Sequence, residues 1–160
     1  MPTISLPSTG GPVIALDQLA AARTVIYCYP MTGVPGQPLP VAWDQIPGAR
    51  GCTPQACGFR ESRPDFATLG VEVFGLSTQT TEYQSEVAER LQLPFFLLSD
   101  AEFRLCEALA LPTFEVEGMR LIKRLTLVIH GGTIEHVFYP VFPPDQSAAQ
   151  TLAWLTSHPR

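Results

Sequence analysis

The sequence predicts an α/β protein in which helices flank a central sheet of parallel and antiparallel strands. Early in the chain, short β-branched and aromatic runs alternate with segments of helical periodicity, which is typical of parallel β-α-β units. Later, two apolar runs flank Gly131-Gly132, a pair that suits a hairpin, and an amphipathic segment follows. The 160 residues, 46% of them hydrophobic, suffice for one core, so we expect a single domain over residues 1–160.

The first 51 residues are predicted to contain little regular structure. Residues 1–12 are rich in proline, glycine and serine and should form an irregular arm. The first strand is expected at Val25–Tyr29, because Pro30 ends it. Five prolines and four glycines lie in residues 30–51. This composition predicts a long loop, and long loops inside compact domains are often functional.

Two helices and a strand are expected in the middle of the chain. Thr53 is a candidate N-cap for a helix beginning at Pro54, because proline suits the first helical position. Pro64 should kink or break that helix. A strand is predicted over Val71–Leu76, and a capping box at Thr81–Gln84 should open the second helix.

The rest of the chain is predicted to add a third helix, a hairpin and a closing helix. After the apolar run Phe95–Leu98, a second capping box at Ser99–Glu102 should open a helix that ends before the next proline. The hairpin strands are expected at Leu125–Ile129 and Ile134–Tyr139. An amphipathic helix over Asp145–Thr156 closes the chain.

Composition and charge exclude several classes of partner. The net charge is −5 and no lysine or arginine run occurs, so no nucleic acid partner is expected. The longest strongly apolar stretch, Leu93–Leu98, is too short for a membrane span. The N-terminus lacks the pattern of a secretory signal, so we expect a cytoplasmic protein. In that compartment the four cysteines indicate redox chemistry or burial rather than permanent disulfides.

Cys52 is the strongest candidate for a reactive side chain. The predicted helix N-terminus offers free N–H groups and a positive dipole end, and Arg50 and Arg60 are close in sequence. These features favour the thiolate, which is the nucleophilic form of cysteine. The competing interpretation is a buried cysteine that packs as a small hydrophobic residue.

The segment Gly51–Glu61 resembles the Gly-Cys-Thr-x-Gln/Glu-Ala-Cys-x-Phe-Arg-Asp/Glu motif of Q-type peroxiredoxins, the bacterioferritin comigratory protein subfamily. Four further segments are similar to that family: Val25–Pro30, Leu98–Asp100, Lys123–Ile129 and Ile134–Phe138. The resemblance can be followed from about residue 13 to residue 156.

The resemblance implies a thioredoxin-like fold and a thiol peroxidase that needs no cofactor. Cys52 matches the peroxidatic cysteine, Cys57 the resolving cysteine and Arg124 the active-site arginine. Cys52 would become a sulfenic acid on reaction with a hydroperoxide, and Cys57 would convert it to an intramolecular disulfide. Arg124 suits the site because its planar guanidinium stays charged and offers several donors.

The resemblance also implies the surroundings and partners of this site. Pro30 matches the proline that shields the pocket, and Gly51 and Thr53 are expected beside the substrate. The expected reductant is thioredoxin or a similar dithiol, and the expected assembly is a monomer or weak dimer.

Two departures from the family pattern lie in the long loop. The family has threonine or serine three residues before the peroxidatic cysteine, where this chain has Ala49. The stretch from Pro30 to Cys52 is also longer than usual. Thr32 could supply the missing hydroxyl if the loop folds back. Trp43 could cover the pocket, contact a partner subunit, or pack on the loop backbone.

The other candidate residues have simpler explanations. Cys28 lies in an apolar strand and is expected in the core, and Cys106 is a possible alternate resolving cysteine for which a core position is favoured. His130, His136 and His158 have no cysteine or carboxylate at ligand spacing, so no metal site is predicted.

A second function class remains open at this point. A thioredoxin-fold binding or holdase protein could keep the two thiols and respond to oxidation with little peroxidase turnover. The replacement at Ala49 and the long loop motivate this alternative.

Overall fold

The computed structural model describes residues 1–160 and contains nine strands and five α-helices. The strands are β1 (Ser5–Pro7), β2 (Val13–Ala15), β3 (Arg23–Cys28), β4 (Val71–Ser77), β5 (Leu97–Ser99), β6 (Thr113–Val116), β7 (Met119–Ile122), β8 (Leu125–His130) and β9 (Thr133–Phe138). The helices are α1 (Cys52–Glu61), α2 (Arg63–Thr68), α3 (Thr81–Arg90), α4 (Arg104–Ala108) and α5 (Ser147–Ser157). None of these helices has the length and apolar character needed to span a membrane.

Five strands form the central sheet in the order β5-β4-β3-β8-β9. Strand β4 pairs in parallel with β3 and β5, whereas β8 pairs antiparallel with β3 and β9. The predicted mixed sheet is therefore confirmed. The parallel strands are joined through helices, and the antiparallel pair β8–β9 is joined by the predicted hairpin. All six residues of the central strand β3 are buried, because helices or hairpins cover both faces.

The alternation of side chains along β3 divides the core into two layers. Val25 and Tyr27 pack in a cluster that includes residues of α1, α2, α3 and α5. Ile26 and Cys28 pack in a second cluster, with residues of β1 and α4. Cys52 belongs to the first layer, so the candidate nucleophile lies on the α1 side of the sheet.

Helix α1 begins two residues earlier than the sequence predicts. Gly51 is its N-cap, with a left-handed φ of 108° that an L side chain rarely adopts, and Cys52 is the first helical residue. The prediction of Thr53 as the cap was wrong, because the glycine turns the chain before it. The predicted break near Pro64 is confirmed, since the chain leaves α1 at Ser62 and restarts as α2.

The caps of α3 and α4 also differ from the predicted capping boxes. Thr80, one residue before the predicted position, caps α3 by accepting a hydrogen bond from the Tyr83 backbone N–H at 3.3 Å. The carboxylate of Asp100 accepts from the backbone N–H groups of Leu105 and Cys106 at 3.0 and 2.9 Å. The predicted box at Ser99–Glu102 was therefore wrong. Asp100, which lies between the two ends of that box, caps helix α4, and α4 is shorter than predicted.

Two short hairpins were not predicted. Strands β1 and β2 pair antiparallel, so the arm at residues 1–12 is partly regular. Strands β6 and β7 pair around Glu117-Gly118, both with positive φ, in the conformation that a tight two-residue turn requires. Gly131-Gly132 adopts the same kind of turn between β8 and β9, as predicted.

The long loop over residues 30–51 is held on the β6–β7 hairpin by Trp43. Its only regular structure is a short 3-10 turn at Trp43–Gln45. The Trp43 side chain is buried against Ala49, Val116 and Leu121, and its ring centroid lies 6.2 Å from that of Phe114. Among the roles left open for Trp43, the structure shows packing within the chain, which anchors the loop before Cys52.

Candidate active site

Cys52 lies where the long loop meets the first turn of α1. Its side chain is 4% exposed, and its thiol donates to the backbone carbonyl of Ala49 at 3.7 Å. A Cβ on Gly51 would lie 2.7 Å from Pro144 Cγ, so the glycine permits both the turn and the close packing of the segment before α5. The candidate nucleophile Cys52 is therefore held in place by its backbone, in a nearly closed site.

Arg124, the residue before β8, contacts the sulfur of Cys52. Its Nη2 lies 3.2 Å from Cys52 Sγ and also donates to the carbonyls of Ala49 and Arg50 at 3.1 and 3.2 Å. The Arg124 side chain is only 3% exposed, so its charge acts with little screening by solvent. A buried guanidinium in contact with the thiol stabilises the thiolate, the reactive form.

Gln55 holds Arg124 in this position. Its Oε1 accepts a hydrogen bond from Arg124 Nη1, and its Nε2 donates to Ser147 Oγ of α5 at 3.3 Å. Both Gln55 and Ser147 are buried. The Gln55 side chain was not singled out from the sequence, although its place three residues after Cys52 on one helix predicts a shared face.

The two arginines that the sequence placed near Cys52 are engaged elsewhere. Arg50 pairs with Asp44 at 3.1 Å, and both side chains are largely exposed. Arg60 lies more than two helical turns beyond Cys52, and its guanidinium donates to the carbonyl of Leu91 at 2.8 Å. The expectation that these side chains lie beside the thiol was wrong, and Arg124 supplies the positive charge from a distant part of the chain.

Two tyrosines lie close to the site. Burial raises the pKa of Tyr29 well above its usual range, and a negative charge on Cys52 adds to the rise. Burial is also the main cause that raises the pKa of Tyr83, with smaller contributions from the charges of Glu86 and Cys52. Both phenols therefore keep their protons at neutral pH, and the Tyr83 hydroxyl donates to the backbone carbonyl of Thr32 at 2.6 Å.

The four cysteines are free thiols in distinct surroundings. Cys57 is half-buried on α1, the same helix as Cys52. Cys28 and Cys106 lie in the core cluster on the opposite side of the sheet from Cys52. Burial raises the pKa of Cys106 to about 12 and that of Cys28 further, so both remain neutral thiols. Cys57 therefore lies on the same helix as Cys52, the candidate nucleophile, whereas Cys106 does not.

A cavity of about 260 Å³ opens beside Arg124. It is lined by residues 47–48, 123–124 and 139–142. Pro30 is buried two residues after the end of β3, and Thr53 is half-buried in the first turn of α1. No cluster of three or more histidine, cysteine or acidic side chains is positioned to hold a metal ion.

Comparison with known proteins decides the family. A family model described as Redoxin matches residues 1–152. Peroxiredoxin Bcp of Escherichia coli K12 is 32% identical over 161 residues, which cover 98% of this chain and 93% of the bacterial protein. The chain belongs to the redoxin family as a Bcp-type peroxiredoxin.

Further relatives agree with this membership. Chloroplastic peroxiredoxin Q of rice is 27% identical over 98% of this peroxiredoxin and 64% of the plant protein. The crystal structure of peroxidoxin BcpB from Mycobacterium tuberculosis matches with a TM-score of 0.77 and 27% identity, over 96% and 92% of the two chains. The Q-type resemblance, the thioredoxin-like fold and thiol peroxidase activity are thereby confirmed, and the holdase alternative is not favoured.

Proposed function

We propose that this peroxiredoxin reduces hydrogen peroxide or small organic hydroperoxides through the thiolate of Cys52. The observation that carries the proposal is the 3.2 Å contact between Arg124 Nη2 and Cys52 Sγ inside a nearly closed site. The guanidinium stabilises the thiolate and has further N–H groups for a peroxide oxygen. The cavity whose lining includes Arg124 is the proposed route for a small substrate.

The chemical step needs no cofactor. The sulfur of the Cys52 thiolate attacks one peroxide oxygen, an S–O bond forms, and the O–O bond breaks. The electron pair of that bond stays on the leaving oxygen, which takes a proton and departs as water or an alcohol. Cys52 is oxidised to a sulfenic acid, and the peroxide is reduced.

Cys57 is the proposed resolving residue. Its thiolate attacks the sulfenic sulfur, so that a disulfide forms and the hydroxyl leaves as water. In the intact helix, five residues correspond to a Cα separation of about 8.6 Å. A disulfide requires less than about 7 Å, so the start of α1 must unwind first. The break at Ser62 confines this unwinding to α1.

The proposed reductant is thioredoxin or a similar dithiol, which would return both cysteines to thiols by exchange. With Cys57 as the resolving residue, the proposed disulfide forms within one chain and needs no cysteine from a second subunit. We further expect a cytoplasmic monomer or weak dimer. Sedimentation of the reduced and oxidised protein tests the assembly.

A coupled assay tests the proposed function. Purified protein is mixed with thioredoxin, thioredoxin reductase, NADPH and hydrogen peroxide, and NADPH consumption is followed. We expect peroxide-dependent turnover that is lost in Cys52→Ser and collapses in Cys57→Ser, while Cys106→Ser retains it. Turnover in Cys52→Ser equal to that of the wild type would reject the proposal.

A further inference from the structure

A buried hydrogen bond joins Ser147, the first residue of α5, to Gln55 of α1. Ser147 is 2% exposed, and its Oγ accepts from Gln55 Nε2 at 3.3 Å. Serine hydroxyls at helix starts commonly accept from backbone N–H groups of the same helix. The Ser147 hydroxyl instead bonds a side chain of another helix, 92 positions away in sequence. Its role therefore concerns α1 rather than the start of α5.

The amide of Gln55 has to satisfy two different neighbours. Gln55 is fully buried, so its amide oxygen and nitrogen both need partners inside the protein. The Oε1 atom accepts from Arg124 Nη1, and the Nε2 atom donates to Ser147 Oγ. Arginine offers donors and no acceptor, so only the oxygen end of the amide can face Arg124. The nitrogen end must then face α5, where Ser147 supplies the acceptor.

Loss of the Ser147 hydroxyl would leave the Gln55 nitrogen buried without an acceptor, which is costly. A rotated amide would not relieve this, because it would set Nε2 against Arg124 Nη1, and both groups are donors. The remaining way to pair the nitrogen is a shift of the Gln55 side chain. That shift would take Oε1 away from Arg124.

The placement of the Arg124 guanidinium depends on this oxygen. Nη2 donates to the carbonyls of Ala49 and Arg50 and contacts Cys52 Sγ at 3.2 Å. Nη1 donates to Gln55, and the buried Nε has no partner. Gln55 is therefore the side-chain acceptor that fixes the orientation of the guanidinium on the sulfur.

We infer that Ser147 is a positioning residue for the reaction of Cys52. By accepting from Gln55 Nε2, it orients the amide that holds Arg124 against the sulfur. The inference rests on the proposed function, in which the Cys52 thiolate attacks the peroxide. Ser147 does not contact the sulfur and transfers no proton, so it acts only through Gln55 and Arg124.

Thr151 offers a matched control on the same helix. It lies one turn after Ser147, is 1% exposed, and its hydroxyl donates to the Ser147 backbone carbonyl at 2.8 Å. Thr151→Val removes a buried hydroxyl from the same side of α5 but leaves the bond between Ser147 Oγ and Gln55 in place. A weaker α5 would affect both variants, whereas lost positioning would affect Ser147→Ala alone.

The test measures the reactivity of Cys52 with and without a peroxide. All variants are made in Cys57→Ser, so that Cys52 is the only cysteine in the tryptic peptide 51–60. Alkylation of Cys52 by iodoacetamide is followed against pH by mass spectrometry, and stopped-flow measurement gives the rate constant for hydrogen peroxide. In Ser147→Ala we expect the alkylation profile to move to higher pH and the peroxide rate constant at pH 7 to fall about three- to tenfold. Thr151→Val should keep both parent values.

A second background tests whether Ser147 acts through Gln55. Gln55→Met keeps the length of the side chain and removes the amide. It should shift the alkylation profile in the same direction, and Ser147→Ala should add no further loss to it. Circular dichroism checks that each variant folds, and Ser147→Gly is measured if Ser147→Ala does not.

Three results would overturn the inference. These are an unchanged alkylation profile in Ser147→Ala, an equal shift in Thr151→Val, and an undiminished effect of Ser147→Ala in the Gln55→Met background. If Cys52 of the parent protein did not react with peroxide, the proposed function would be rejected. The alkylation profiles need no peroxide, so they would still decide whether Ser147 positions Arg124.

Discussion

At the scale of single residues, the site depends on one buried contact between a guanidinium and a cysteine sulfur. Arg124 reaches Cys52 from the start of β8, and Gln55 and Ser147 fix the guanidinium from α1 and α5. The guanidinium donates to the sulfur, to a side-chain amide and to two backbone carbonyls. A planar fork of donors can make these bonds together, whereas a lysine ammonium cannot match their directions.

Arg124→Lys is therefore expected to lower the second-order rate constant for hydrogen peroxide on the order of 10- to 100-fold. The fold should persist, because the charge and the aliphatic stem remain. Stopped-flow oxidation and circular dichroism measure the two properties. Arg120→Lys is the matched control, since Arg120 pairs with the exposed Glu107 away from the site and should keep the wild-type rate. Equal rate constants for wild type and Arg124→Lys would return Arg124 to a structural role.

Part of this site could be predicted from the sequence. The roles expected of Cys52, Cys57 and Arg124 were implied by the resemblance of Gly51–Glu61 and Lys123–Ile129 to Q-type peroxiredoxins. The roles of Arg50 and Arg60 could not, because proximity in sequence does not fix the direction of a side chain. The contact of Gln55 with Ser147 joins residues 92 positions apart, and no local pattern encodes it.

At the scale of elements, the proposed disulfide places two opposed demands on helix α1. It holds Cys52 against Arg124 in the reduced state, yet its two cysteines are too far apart for a disulfide while the helix is intact. Gly58 lowers its intrinsic helical stability, and packing against α5 and the segment before it compensates.

Peroxide treatment is expected to form a Cys52–Cys57 disulfide within one chain and to raise amide hydrogen exchange across residues 52–59. The sheet should change little, because β3 and β8 are buried and pair with each other rather than with α1. Peptide mapping and exchange mass spectrometry measure both effects, and Cys106→Ser is the matched control. A Cys52–Cys106 link, or unchanged exchange across α1, would contradict the proposed unwinding.

An ion pair joins the edge strand β9 to the central strand β3. Glu135 accepts bidentate hydrogen bonds from Arg23 of β3 and further bonds from Arg160, and these bonds lower its pKa from 4.5 to about 2. A carboxylate whose pKa is lower in the folded state than in the unfolded state stabilises the fold at pH values above its unfolded-state pKa. This contribution is complete above about pH 4.5 and is lost as the pH falls towards about 2.

Glu135→Gln should therefore lower the Tm at pH 7 and weaken the loss of Tm between pH 4.5 and pH 2. Thermal unfolding across that pH range measures the difference. Glu89→Gln on the exposed face of α3 is the control and should follow the wild type. A Glu135→Gln protein with the pH profile of the wild type would show that the ion pair does not contribute.

At the scale of the whole molecule, the sheet separates two pairs of cysteines. Cys52 and Cys57 lie on α1, on one side, whereas Cys28 and Cys106 pack in the opposite layer. The sequence predicted the mixed sheet because the β-branched runs and the Gly131-Gly132 turn are strong local signals. It missed the hairpin β6–β7, whose Glu117-Gly118 turn is a weaker signal, and the hairpin β1–β2, whose strands are three residues long.

The central claim is that Cys52 is the residue that peroxide oxidises, and trapping the sulfenic acid tests it most directly. The Cys57→Ser protein is treated with one equivalent of hydrogen peroxide in the presence of dimedone, and the labelled peptide is identified by mass spectrometry. We expect one adduct per chain, on Cys52, and none in the Cys52→Ser variant treated in the same way. An adduct on Cys28 or Cys106, or labelling that persists in Cys52→Ser, would contradict the assignment of Cys52 as the nucleophile.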